Sequence, residues 1–148
     1  MPSADGHVAP CGDFMLEGHA GFLLRRAHQR HVALFLEQTG QYDLTPTQFA
    51  ALFKVVELGR VTQNLLGRHT AMDPATIQGV VRRLTARGLL KREHDPMDRR
   101  TAVLRPTEAG SVLIDRTVAC AQASHDAALA PLTLAERAQL LALLRKLA

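Results

Sequence analysis

Hydrophobic residues recur along most of this chain with the spacing of amphipathic helices. The clearest example lies between residues 73 and 88, where one helical face carries apolar residues at positions i, i+3, i+4 and i+7, namely Ile77, Val80, Val81 and Leu84. Only residues 89–94 and 101–104 have the character of short strands, and a turn separates them. The pattern predicts a mainly α fold with one small β-hairpin (α+β), in which four helices precede the hairpin and two follow it.

Capping signals mark where these helices begin. In Thr45-Pro46-Thr47-Gln48 and Thr133-Leu134-Ala135-Glu136, a threonine precedes a Gln or Glu by three positions, which is the spacing of a capping box. Asp73-Pro74 combines a cap with the proline favoured at the first helical position. Thr62 and Thr107 are the caps expected for two further helices. These signals predict helices over residues 46–57, 62–69, 73–88 and 107–128, and a last helix that begins at residue 133. The absence of a helix-breaking residue after Gly21 predicts a first helix over residues 17–38.

The composition is that of one globular domain. Of the 148 residues, 47% are hydrophobic, 22% are charged and only 4% are aromatic, which is typical of a Leu- and Ala-rich helical protein with its own core. We expect residues 1–16 to form a mobile arm and residues 17–148 to form the domain. The two cysteines are too few for a disulfide framework, and no targeting segment or long apolar run is present, so the sequence predicts a cytoplasmic protein.

Positive charge is concentrated in one part of the chain. The formal net charge is +4, but residues 82–105 contain eight Arg or Lys residues and only three acidic residues, a local charge of +5. The remainder of the chain therefore carries a net charge of −1. A local basic region on an otherwise balanced protein indicates a polyanionic partner such as DNA.

The helix predicted after Asp73 has an outward face suited to the DNA major groove. Small residues on this face permit close approach, and Gln and Arg offer hydrogen bonds to adenine and guanine edges. Such a face on an isolated helix is more often simply solvated, but here a short helix precedes it and a basic hairpin follows, as a winged helix-turn-helix requires. The outward residues are Ala75, Gln78, Gly79, Arg82 and Ala86, with Thr76 and Arg83 on the flank.

The predicted hairpin carries the features of a DNA-binding wing. Arg99 and Arg100 lie at its tip, where arginine side chains enter a minor groove or contact phosphates. Asp95 and Asp98 are unexpected in a turn that needs positive charge alone. We expect both to cap the turn and to hold the two arginine side chains in place. Asp98, Arg99 and Arg100 are therefore the DNA-site residues predicted in the wing.

Residues 44–110 resemble the multiple antibiotic resistance regulator (MarR) family. The family's wing pattern is matched by Asp95, Asp98, Arg99, Arg100, Thr107, Glu108 and Gly110, while Met97 and Arg105-Pro106 depart from it. The resemblance implies a winged helix-turn-helix lobe over residues 45–106 and dimerisation helices over residues 17–44 and 107–148. It also implies a homodimer in which each subunit reads one half of a palindromic operator.

The last predicted helix is consistent with that homodimer. Its leucines offer more apolar surface than one small domain covers, although an intramolecular core is the alternative use of such a stripe. The residues concerned are Leu134, Leu140, Leu141, Leu143, Leu144 and Leu147.

Regulators of this family respond to small aromatic acids, and residues 18–35 resemble the subgroup that represses nicotinate catabolism and responds to 6-hydroxynicotinate. The resemblance implies a repressor released from its operator by such an acid. Aromatic and basic residues of this segment would supply a wall, ring-nitrogen contacts and a carboxylate partner. The candidate effector residues are His19, Phe22, Arg26, His28 and His31, together with Tyr42 as the one tyrosine of the chain.

The same residues leave other functions open. His28 and His31, with His19, His7 and Cys11, are candidate zinc ligands, but their spacing is loose and no acidic ligand accompanies them. Cys11 and Cys120 are candidates for a peroxide sensor, and a non-specific architectural DNA-binding protein is a further alternative. No catalytic constellation or cofactor motif stands out, so the sequence predicts a regulator with no enzymatic activity and no cofactor.

Overall fold

The computed structural model describes residues 14–148, and its helices and its hairpin follow the predicted order. Four helices precede a hairpin and two helices follow it, in agreement with the mainly α, winged-helix fold class. A single 3-10 turn, Leu16–Gly18, precedes the first helix. The helices are α1 (Ala20–Thr39), α2 (Pro46–Leu58), α3 (Gln63–His69), α4 (Pro74–Ala86), α5 (Glu108–Leu129) and α6 (Leu134–Leu147); the strands are β1 (Val61–Thr62), β2 (Leu90–His94) and β3 (Ala102–Pro106).

The hairpin is part of a three-stranded sheet, whereas the sequence pattern predicts only two strands. The short strand β1 pairs antiparallel with β3, so that Val61 lies opposite Leu104 and Thr62 opposite Val103. Two residues are too few to produce a visible alternation, and the pattern identifies Thr62 only as a helix cap. Thr62 serves both purposes, since its side chain also accepts a hydrogen bond from the Leu65 N–H at 3.3 Å.

The other capping predictions are confirmed, and the start of the first helix is not. Both threonines predicted to form capping boxes, Thr45 and Thr133, do so. The first helix begins at Ala20 and not at Glu17, because His19 adopts an extended backbone conformation that interrupts the helix. The predicted mobile arm, residues 1–16, lies outside the described residues except for its last three positions.

The winged-helix lobe, which comprises α2, α3, α4 and the sheet, contains most of the core. The predicted stripe of α4 is buried as expected, with Leu84 fully inaccessible. It packs against the buried leucines Leu52, Leu66 and Leu104 from α2, α3 and β3. Burial of a leucine side chain contributes about 1.5–3 kcal/mol, so this cluster is the main source of the lobe's stability.

The long-helix lobe, which comprises α1, α5 and α6, leaves much of its apolar surface exposed. Helix α1 packs along α5 but buries only Phe35 and Thr39, and α6 has no buried residue. Leu134 and Leu147 of α6 are 83% and 74% exposed. Within residues 14–148 no single helix is long and apolar enough to cross a membrane, although α5 and α6 taken together, bent by 103°, meet that test of length and composition.

The two lobes meet at the turn that follows α4, residues 87–89. The Thr107 hydroxyl donates to the Gly88 carbonyl at 2.6 Å, and the Thr107 N–H donates to the Leu89 carbonyl at 3.1 Å. Gly110 of α5 packs directly on that Leu89 carbonyl, and a Cβ built on Gly110 would lie only 2.1 Å from the carbonyl oxygen. The start of α5 is therefore fixed against the end of the α4 segment.

Candidate nucleic-acid interface and effector groove

The helix-turn-helix is formed by α3, residues 70–73 and α4. Asp73 caps α4: its carboxylate accepts the Thr76 N–H at 2.9 Å and the Thr76 hydroxyl at 2.5 Å. These hydrogen bonds, the one from the hydroxyl first, lower the pKa of the Asp73 carboxyl group. The sequence predicts Thr76 as a DNA contact, and the structure shows that its hydroxyl also orients the cap of the helix.

The outward face of α4 is open to solvent, as the sequence predicts. Gln78, Arg82 and Arg83 are exposed, and none of their side chains hydrogen-bonds another residue of the described chain. Gly79 is half-exposed, and a Cβ built on it would meet only the Arg83 guanidinium, at 3.9 Å. The absence of a side chain at Gly79 leaves a shallow surface on which another molecule can approach the helix backbone.

Arg92 on β2 is a candidate DNA residue that the sequence pattern does not single out. It lines a concavity of about 470 Å³ together with Gln78 and Arg82 of α4. It also donates to the Gln63 side chain at 2.7 Å and lines a second concavity between α3 and the wing. Arg92 thus lies between the turn of the wing and α4, which is the recognition helix of the helix-turn-helix. Its charge assigns it to the basic region, but only the sheet geometry shows which face it occupies.

Both wing aspartates cap the turn, as predicted. The Asp95 carboxylate accepts the Met97 N–H at 2.9 Å, and the Asp98 carboxylate accepts the Arg100 N–H at 3.0 Å and the Thr101 hydroxyl at 2.8 Å. The backbone hydrogen bond from Met97 is the main reason that the pKa of Asp95 is lowered.

The prediction that these aspartates also hold Arg99 and Arg100 is wrong. Asp95 forms its ion pair with Arg60, at 2.7 Å, and Asp98 is occupied by the turn itself. The local hydrogen bonds of the turn engage the carboxylates and leave both arginine side chains exposed, without a carboxylate partner among residues 14–148.

The acidic residue Glu93 neutralises part of the basic region. Its carboxylate pairs with Lys91 at 2.7 Å and with Arg105 at 2.9 Å, and the Lys91 hydrogen bond is the main cause of the lowered pKa of Glu93. The charge of +5 is therefore not spread evenly. The exposed arginines of α4 and of the wing tip carry the excess, which concentrates positive potential where the two elements face outward.

A second feature is an apolar groove in the long-helix lobe, between α1, the end of α5 and α6. It has a volume of about 510 Å³ and is walled by leucines such as Leu140 and Leu144. Its polar residues are all basic or neutral: His28, Arg30 and His31 of α1, and His125 of α5. Burial, and then the neighbouring His28 and His125, lower the pKa of His31. The groove suits a molecule that is part apolar and part anionic.

The structure brings only two of the six predicted effector residues into this groove, His28 and His31. Phe22 and Arg26 lie on another face of α1, where the Arg26 guanidinium is 5.9 Å from the Phe22 ring centroid. The reason is the helical rotation of about 100° per residue, which turns residues 22 and 26 away from residues 28 and 31.

The remaining two candidates also lie elsewhere. His19 packs against Phe14, with ring centroids 4.2 Å apart and ring planes tilted by 39°, and Tyr42 lies in the connection between α1 and α2. The sequence gives no signal for His125, because it is far from α1 in the chain and reaches the groove only through the packing of α1 on α5.

The competing sensor sites have little support in the described part of the chain. Residues 14–148 contain no group of three or more His, Cys, Asp or Glu residues arranged to hold a metal ion. Cys120 is half-buried on α5. His7, which the zinc hypothesis uses, and Cys11, which both hypotheses use, lie outside the described residues.

Comparisons with known proteins agree with this geometry. A model of the MarR family matches residues 42–101. The chain is 41% identical over 127 residues to NicR, an HTH-type transcriptional repressor of Pseudomonas putida, a match that covers 86% of this chain and 80% of that protein.

Two solved structures are also similar. A probable transcriptional regulator from Pseudomonas aeruginosa superposes with a TM-score of 0.87 at 46% identity, covering 90% of this chain and all of that one. BpsR of Bordetella bronchiseptica, whose DNA binding is regulated by 6-hydroxynicotinic acid, superposes with a TM-score of 0.87 at 38% identity, covering 92% and 97% of the two chains.

Proposed function

Since this chain belongs to the MarR family, we propose that it is a transcriptional repressor that leaves a palindromic operator when a small aromatic acid such as 6-hydroxynicotinate binds. The observation that carries the proposal is the set of exposed arginines on α4, at Arg92 and at the wing tip, which have no carboxylate partner among residues 14–148. The likeness to NicR and BpsR supports both the repressor role and the class of effector. Such a regulator acts on cytoplasmic DNA by binding and has no catalytic step.

In this proposal α4 enters the major groove and the wing contacts the adjacent backbone. Gln78 and Arg82 read base edges, Gly79 permits close approach, and Arg83 with the wing arginines contacts phosphates. Arg92, between the two elements, adds a further cation at the centre of the surface. Thr76 and Asp98 act mainly by shaping the ends of the two elements, through the capping hydrogen bonds described above.

A homodimer completes the proposal, with the exposed faces of α1 and α6 as the interface. The α6 leucines that do not line the groove, Leu134, Leu143 and Leu147, are exposed within one chain, and a second copy would remove them from water. A two-fold dimer presents two recognition helices to successive half-sites, which explains why the operator should be palindromic.

The first prediction concerns the wing. Replacing Arg99 by Ala should weaken binding to operator and to unrelated DNA alike, because a bond to a phosphate carries no sequence information. The slope of log affinity against log salt should become shallower by about 0.9 for each phosphate that Arg99 neutralises in the wild type. Met97→Ala is the matched control, since Met97 lies in the same turn, is 94% exposed and carries no charge. An Arg99→Ala variant with the wild-type salt slope would place the wing away from DNA.

We propose the apolar groove as the effector site. A hydroxypyridine carboxylate has an apolar ring suited to the leucines and an anionic group suited to His28, His31 and His125. The Arg30 guanidinium is already engaged, since it donates to the Ala127 and Ala128 carbonyls. The acid releases DNA only if it binds more tightly to the arrangement of the two lobes that does not fit the operator. A preference of about 1–3 kcal/mol for that arrangement lowers operator affinity roughly 5- to 150-fold.

Gel shifts on operator selected from random DNA test this proposal. The purified protein should bind a discrete palindrome and release it with 6-hydroxynicotinate in the presence of a chelator and a reductant, while neutral aromatic compounds leave it bound. Release only by zinc or peroxide would favour a metal or redox sensor of the same fold. Uniform coating of all DNA would instead indicate an architectural protein.

The second prediction concerns the pH dependence of the effector. His31 is mainly neutral at neutral pH because its pKa lies below the usual 6.5. A bound carboxylate favours the protonated form, so binding takes up a proton and effector affinity should rise as pH falls from about 7.5 towards 5.5, by up to about tenfold per unit. Calorimetric titration in buffers of different ionisation enthalpy measures that proton uptake. His31→Gln should flatten the profile, and a variant with the wild-type pH dependence would exclude His31 from the site.

A further inference from the structure

The turn that ends α4 is hydrogen-bonded to the start of α5 and to the connection that follows α1. On one side, Thr107 at the start of α5 hydrogen-bonds the carbonyls of Gly88 and Leu89. On the other side, the Arg87 guanidinium donates to two carbonyls of the connection between α1 and α2: its Nη2 donates to the Tyr42 carbonyl at 3.0 Å, and its Nη1 donates to that of Asp43. The end of α4 therefore contacts both segments that lead into the long-helix lobe.

Arg87 is the side chain that makes the second of these connections. It is the C-cap residue of α4, and its backbone N–H still donates to the Arg83 carbonyl at 3.1 Å. Within residues 14–148, no other side chain forms a hydrogen bond between this turn and residues 40–45. A displacement of the C-terminal end of α1 moves the carbonyls of Tyr42 and Asp43, and the hydrogen bonds of the Arg87 guanidinium transmit that movement to the end of α4.

The two connections differ in rigidity. The α5 side is fixed by backbone packing, since Gly110 lies directly against the Leu89 carbonyl. The connection through Arg87 depends on one exposed, long side chain that donates to two carbonyls between α1 and α2. One of these carbonyls belongs to Asp43, whose backbone has a left-handed conformation. A change between α1 and α5 therefore alters the geometry at Arg87 more readily than that at Gly110.

We propose that Arg87 is the positioning residue that couples the effector lobe to the recognition helix. In this role it contacts neither the effector nor the bases. It transmits the position of α1 to α4, so that the arrangement of the long helices and the affinity for operator depend on each other. This inference rests on the proposed function, because it assigns a route for the release described there.

Arg87→Lys is the decisive variant. Lysine keeps the positive charge but lacks the planar guanidinium fork that donates to two carbonyls at once. If Arg87 acted only by attracting DNA phosphates, lysine would preserve its effect. If it acts by spanning the two carbonyls, lysine fails much as alanine does. Arg116→Ala, on an exposed position of α5, controls for the removal of an arginine elsewhere.

The test measures operator affinity with and without saturating 6-hydroxynicotinate. We expect the effector to weaken operator binding roughly 5- to 150-fold in the wild type and in Arg116→Ala, but less than about threefold in Arg87→Lys and Arg87→Ala. Effector affinity in the absence of DNA, measured by calorimetry, should remain within about threefold of the wild type. If the effector weakens operator binding of the wild type, an Arg87→Lys variant that shows the same weakening overturns the inference.

Hydrogen exchange separates failure of this inference from failure of the proposed effector. Operator binding should slow exchange at the amides of residues 40–45 in the wild type, although these residues lie outside the proposed DNA surface, and should leave them unchanged in Arg87→Lys. If 6-hydroxynicotinate has no effect on the wild type but this difference is found, the effector is wrong and the coupling stands. If both proteins show the same protection, the coupling is wrong whatever the effector.

Discussion

Gly110→Ala is expected to destabilise the protein by about 3 kcal/mol or more. The added Cβ would lie 2.1 Å from the Leu89 carbonyl oxygen, a distance that no relaxation of a flexible side chain can relieve because the clashing atom belongs to the backbone. The same carbonyl accepts the Thr107 N–H, so moving it also weakens the start of α5. With a total stability of about 5–15 kcal/mol, such a reduction is a large share.

Gly79→Ala is the matched control, because it is the same substitution in a helix where the new methyl group has room. The nearest atom to its built Cβ is the Arg83 guanidinium, 3.9 Å away. Removing the conformational freedom of glycine from a helix stabilises by about 0.5–1 kcal/mol. At equal protein concentration, the melting temperature should therefore fall for Gly110→Ala and rise slightly for Gly79→Ala. Equal melting of Gly110→Ala and the wild type would show that α5 does not start against Leu89 as described.

Replacing Gln78 or Arg82 by Ala should lower discrimination between operator and random DNA by about 1–3 kcal/mol for each half-site in which the side chain pairs with a base. Both side chains point outward from α4, and neither hydrogen-bonds another residue of the described chain. Their removal should therefore leave thermal melting unchanged. The measurement is a pair of titrations, with operator and with unrelated DNA, at one fixed salt concentration.

Two results distinguish reading of bases from simple attraction. Arg82→Ala should reduce affinity for operator more than affinity for unrelated DNA, whereas Arg99→Ala should reduce both by similar amounts. A variant of Gln78 or Arg82 with lower stability but unchanged specificity would show that the assigned helix face is wrong and that these side chains are structural.

Much of the fold could be predicted because its signals are local. A threonine followed three residues later by Gln or Glu predicts a helix start, and each such prediction is confirmed. The stripe of α4 needs only the period of a helix, and all four of its members are buried. The turn-capping roles of Asp95 and Asp98 are likewise interactions between near neighbours in the chain.

What could not be predicted depends on contacts between distant segments. Strand β1 is two residues long and is identified only by its pairing with β3. The ion pair of Asp95 with Arg60 joins residues 35 positions apart, and nothing in either segment selects that partner. His125 and Arg92 take their places from the packing of α1 on α5 and from the pairing of the strands. Residues 22 and 26 are grouped with 28 and 31 by their proximity in the chain, and helical rotation separates them.

The double use of Thr62 limits how the wing can move. Thr62 caps α3 and also pairs with β3, and Arg60, just before β1, forms an ion pair with Asp95, just after β2. The wing is therefore held to the start of the helix-turn-helix by both backbone and side-chain contacts. Less backbone conformational entropy then remains to be lost when both meet DNA, which favours tight association. A preorganised surface of this kind adapts poorly, so the duplex must supply the deformation. Base-pair steps that no side chain touches will then contribute to affinity through their stiffness and groove width.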